Sequence, residues 1–122
     1  MRYLILIHSN PKSREVWETL TDEQQTAFGR AHLALTDELI GTGELVASEG
    51  LPDPSKSTWV SVRDGRILSG DGPYAEVKEY LAGFYLLDCT LERAVEVAAK
   101  APDAAYGFVE VRPVYDMSQL DL

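Results

Sequence analysis

The chain has one cysteine, two histidines and two methionines in 122 residues, and each scarcity excludes something. Cys89 alone cannot form an internal disulfide, which agrees with a reducing compartment and predicts a cytoplasmic protein. Two histidines and one cysteine without close ligand spacing argue against a zinc site. No window approaches the ~20 consecutive apolar residues of a membrane span, and Met1 to Ile7 is too short for an export signal and has no small-residue cleavage site after it. Basic residues are few, 11 against 20 acidic, for a net charge of −9. Such a surface repels a phosphate backbone, so direct DNA or RNA binding is not expected. Phosphate loop, dinucleotide-binding glycine fingerprint and serine nucleophile elbow are all missing, so no cofactor is implied.

What is present fits one domain over residues 1–122, long enough to bury roughly two thirds of the surface that its unfolded chain exposes. Residues 2–8 alternate Tyr3, Ile5 and Ile7 with Leu4 and Leu6, a strand apolar on both faces. A polar loop is expected through Asn10-Pro11-Lys12-Ser13. Thr21-Asp22-Glu23-Gln24 then reads as a capping box with two acids in the first turn. The helix that it opens should run to about Ile40, end at Gly41 or Gly43, and bury Phe28, Ala31, Leu35 and Leu39.

A short strand is expected over residues 44–48, followed by a Gly/Pro-rich loop. Residues 57–63 and 66–69 flank Asp64-Gly65 as a β-hairpin. Residues 83–88 form another strand. Thr90 caps a second helix with Leu91, Ala94, Val95 and Ala98 on one face, stopped by Pro102, and residues 106–114 close the chain as a strand. This order predicts an α+β, ferredoxin-like βαββαβ plan with an extra hairpin: an antiparallel sheet with two helices on one face. The other face also carries apolar residues, so a second copy of the chain is expected to cover it in a two-fold homodimer.

His32 lies four residues after Phe28 and three before Leu35, inside the buried stripe of the first helix. A hydrogen-bonded core histidine and an acid/base group both fit that position; its ordinary pKa near neutrality suits the second. The segment 71–84, Asp71-Gly72-Pro73-Tyr74-Ala75-Glu76-Val77-Lys78-Glu79-Tyr80-Leu81-Ala82-Gly83-Phe84, combines a turn with charged groups and a strand. Pro73 suits the first position of a short helical turn. Tyr74 offers a ring face and a hydroxyl, Lys78 a cation for an anionic ligand, and Glu76 lies between them. His8, at the end of the first strand, stands either on the surface or at the pocket mouth and joins the ligand-binding candidates.

The same segment closely resembles the signature of the YCII-related family, in the branch named for its DGPF motif, with Tyr74 in place of Phe. The resemblance runs from Arg2 to Val114 and implies a dimeric α+β barrel of two facing sheets. It also implies a His/Asp acid-base dyad containing His32. The aspartate that precedes a proline after the second helix in that family falls at Ala101, before Pro102. Asp71 is taken as the partner instead; Asp103, two residues on, qualifies only if the loop shifts. The implied activity is a lyase or isomerase acting on a small, aromatic or anionic compound. The implied alternative is a non-catalytic accessory protein in a sigma-factor-linked transcriptional response, with a protein partner.

Overall fold

A computed structural model describes residues 1–70 and 79–119. The elements are β1 (Arg2–Ser9), α1 (Pro11–Thr19), α2 (Asp22–Thr42), β2 (Leu45–Gly50), β3 (Trp59–Arg63), β4 (Arg66–Gly70), β5 (Tyr80–Asp88), α3 (Leu91–Lys100) and β6 (Val109–Pro113), with a 3₁₀ turn at Pro102–Tyr106. Four strands form one antiparallel sheet in the order β2-β5-β1-β6, and β3 and β4 pair separately. This is the expected α+β arrangement, with the hairpin inserted between β2 and β5. Asp64 and Gly65 both take positive φ, 53° and 76°, as a two-residue hairpin turn requires. No helix among the described residues is long and apolar enough to cross a membrane.

The core lies between the helices and one face of the sheet. Ile5 and Ile7 of β1 and Tyr85 and Leu87 of β5 face Leu35 and Leu39 of α2 and Val97, Ala98 and Ala101 from α3 and its end. Thr21 and Gln24 close the expected capping box, and Gly43 ends α2 with φ 78°. The opposite face holds Leu4 and Leu6, paired across strands with Leu86 and Phe84. Leu6 is buried while Leu4, Phe84 and Leu86 are half-buried.

Two local expectations need correction. The stretch taken as a polar loop is the start of α1: Asn10 caps it, Pro11 occupies its first turn, and Ser13 completes a reciprocal capping box. In α3 the buried residues are Ala94, Val97 and Ala98, whereas Leu91 and Val95 are about half exposed. Both sets have helical spacing, but the stripe of small residues, continued by buried Ala101, lets α3 lie closer to the sheet than a leucine would.

Gly83, within the signature segment, owes its identity to strand packing. A Cβ built there would stand 2.9 Å from the carbonyl oxygen of Glu49 on β2, whereas at Gly50 the nearest atom is 4.0 Å away. Backbone on both sides cannot give way, so Gly83→Ala should destabilise the protein by about 1–3 kcal/mol in urea unfolding. Gly50→Ala should be the milder change; equal effects would refute the close-approach explanation.

Candidate functional site

α2 turns His32 toward the sheet, one turn before Leu35, and the imidazole is held at both nitrogens. Nδ1 lies 2.6 Å from the Tyr85 hydroxyl and Nε2 lies 2.6 Å from Oδ1 of Asp103. Three elements therefore meet on one ring: α2, β5 and the 3₁₀ turn after α3. The His32 side chain is 26% exposed and that of Asp103 17%. Tyr85 is buried. Burial pushes its phenol pKa up, against a hydrogen bond with Thr36 and with help from the Asp103 charge, so it remains a hydroxyl.

A phenol O–H donating to Nδ1 leaves the neutral imidazole with its proton on Nε2, where it donates to Asp103. On protonation, Nδ1–H would donate to the phenol oxygen, whose own proton can turn to the His32 carbonyl 3.4 Å away. Both charge states of the ring thus keep partners at both nitrogens.

Around these groups the molecule is concave. A cleft of about 450 Å³ is bounded by Phe28, His32, Thr36, Gly83, Tyr85 and Asp103. A second chamber of about 330 Å³ is walled by Arg14, Trp17, Tyr80, Tyr106 and Phe108. The two share Phe28, Ala82 and Asp103. Trp17 meets Phe28 edge-on at 5.4 Å, Phe28 meets His32 at 5.6 Å, and the His32 and Tyr85 rings are nearly parallel at 6.0 Å. This row of rings gives the cleft apolar walls around one polar cluster, the usual composition of a small-molecule site. Arg14 places a guanidinium in the smaller chamber, 5.3 Å over the Tyr80 ring and bonded to the buried Ser9 hydroxyl at 3.1 Å.

Among the sequence candidates, His32 stands at the centre of the cleft. His8 lines the smaller chamber and binds Glu110 at 2.8 Å. Glu110 is held at a pKa of about 2 by its hydrogen bonds to Arg112 and then His8. Asp71, Tyr74, Glu76 and Lys78 lie outside the described residues. The carboxylate that meets His32 is Asp103. Pro102 opens a 3₁₀ turn, closed by Gly107 at φ 78°, and this turn carries Asp103 to the imidazole. Arg14, Trp17 and Tyr85 were not singled out. Asn10-Pro11-x-Ser13 was the available signal for the helix that carries the first two; no pattern marks a strand tyrosine as a histidine's partner.

Burial pushes the Cys89 thiol up, with the Glu44 charge adding to it, which suits a packing residue better than a nucleophile. No group of three or more His, Cys, Asp or Glu that could hold a metal occurs among the described residues.

In ¹⁵N NMR the neutral His32 ring should be almost wholly the Nε2–H tautomer. Tyr85→Phe removes the donor to Nδ1 and should raise the Nδ1–H population severalfold. An unchanged tautomer ratio would contradict the role given to Tyr85.

Comparison with known proteins matches residues 1–118 to the YCII-related domain. The chain is also similar to an uncharacterized protein of Rhizobium meliloti (strain 1021), with 30% identity over 117 residues that cover 93% of this chain and 92% of the relative.

Proposed function

The chain belongs to the YCII-related family, and for this member we propose that the cleft binds a small ring compound and moves a proton on it, in a lyase or isomerase reaction. The observation that carries this reading is the juxtaposition of the Asp103–His32–Tyr85 line with walls made of Phe28, Trp17 and Phe108. Rings supply stacking surface for an aromatic or other planar ligand, and the polar line supplies groups that can take and return a proton without an oxidant or reductant. Arg14 adds its guanidinium, laid over the Tyr80 ring, to the wall of the smaller chamber.

Trp17 reports directly on this cleft, whereas Trp59 lies on the hairpin. In a Trp59→Phe background, phenol should change the Trp17 emission saturably, and Phe28→Ala should weaken that binding by roughly tenfold, the loss of a buried aromatic wall. No saturable change would contradict the small-molecule reading and favour the accessory, sigma-factor-linked role.

We also propose that the protein is a homodimer through the open face of the sheet. Leu4, Phe84 and Leu86 remain half-buried there, with Glu110 and Arg112 paired to Leu6 and Leu4 along the β6 edge. An apolar centre with a charged margin is self-complementary under a two-fold axis. Native mass spectrometry should give a dimer, and Leu86→Glu should shift it to monomer. A wild-type monomer at micromolar concentration would overturn this assignment.

A further inference from the structure

The two members of the His32–Asp103 pair are not equally available to a ligand. His32 has no nitrogen to spare, since Tyr85 holds Nδ1 and Asp103 holds Nε2, each at 2.6 Å. Asp103 is bound to His32 through Oδ1 alone. Among the described residues its other oxygen has no hydrogen-bond partner, and no buried side-chain oxygen or nitrogen lacks one. That oxygen therefore opens to solvent, on a residue that lines both chambers of the cleft. The backbone beneath it is fixed: Ala104 N–H donates to Ala101 O at 2.9 Å and Gly107 N–H to Ala104 O at 3.1 Å.

We propose that Asp103, rather than His32, is the catalytic residue that meets the ligand, and that the ligand is a ring compound bearing an acidic hydroxyl, a phenol or an enol. This rests on the small-molecule reading of the cleft and assigns the atom at which it acts. The ligand hydroxyl donates to the free Asp103 oxygen. In the transfer step the ligand O–H bond breaks and an Asp103 O–H bond forms. The electron pair stays on the ligand and spreads into its π system, and Asp103 returns the proton to a ligand carbon, so the net change is a redox-neutral isomerisation. His32 and Tyr85 are positioning residues: Nε2–H fixes one carboxylate oxygen so that the other faces the cleft, and Tyr85 fixes the tautomer that allows it.

Phenol and anisole have the same ring and differ in the proton offered to Asp103. Ligand-observed NMR should give the wild type a preference for phenol of roughly tenfold, the worth of a hydrogen bond to a charged acceptor. In Asp103→Asn the amide oxygen stays on His32 Nε2–H and the NH₂ faces the cleft, so the preference should fall to near one while ring binding persists. His32→Gln retains a donor to the carboxylate and should keep more of the preference than Asp103→Asn. Equal binding of both probes by the wild type would overturn the assignment of Asp103 alone. A preference that survives in Asp103→Asn and disappears in His32→Gln would transfer the contact to His32. Failure of both probes to bind the wild type would overturn the small-molecule reading, and this inference with it.

Discussion

The packing of α2 on the inner face of β5 is the constraint on which the site depends. Leu35 and Leu39 bury against Tyr85 and Leu87, and burial of that size, a few kcal/mol per large side chain, fixes the rotation of the helix on the sheet. Once that rotation is set, the residue one turn before Leu35 must face the strand. It is His32, and the strand residue beside it carries a hydroxyl rather than another aliphatic group. A hydrogen-bonded pair thus occupies the margin of an apolar core, where loss of either partner would leave a polar group without compensation.

The third member arrives from the other half of the chain. α3 lies close to the sheet because its buried stripe is alanine and valine, and Pro102 immediately turns the backbone into a 3₁₀ segment. That change of helical type brings Asp103 to the far side of the imidazole. The three groups are far apart in sequence: Tyr85 stands 53 positions after His32, and Asp103 stands 71 positions after it. Their meeting is a product of the whole fold. α1 adds Arg14 and Trp17 to the same region, so every helix, or the turn that follows it, contributes to the cleft.

Much of the architecture was legible because it rests on local physics. The capping box at Thr21, the glycine at the end of α2, the Asp64-Gly65 turn and the two-sided strand β1 each announce themselves in a few residues. α1 escaped because its box is closed by Ser13 instead of the usual glutamate or glutamine, and the proline beside Asn10 resembles a loop signal. The face of α3 was misjudged by preferring Leu91 and Val95 to smaller residues, although volume allows the small stripe a closer approach. In the site, His32 was visible by helical spacing alone. Its partners were not: Tyr85 looks like one more strand aromatic, and Asp103 depends on a turn geometry that composition does not fix.

The central claim is that Asp103 presents its free oxygen to a hydroxyl-bearing ring in this cleft. The most direct measurement is a crystal structure of the protein with phenol bound. The account predicts the ring against Phe28 and the phenol oxygen about 2.7 Å from the Asp103 oxygen that His32 does not hold, with both His32 hydrogen bonds intact. A phenol oxygen bonded to the His32 ring in place of Asp103 or Tyr85, or a ring seated outside the cleft, would contradict it.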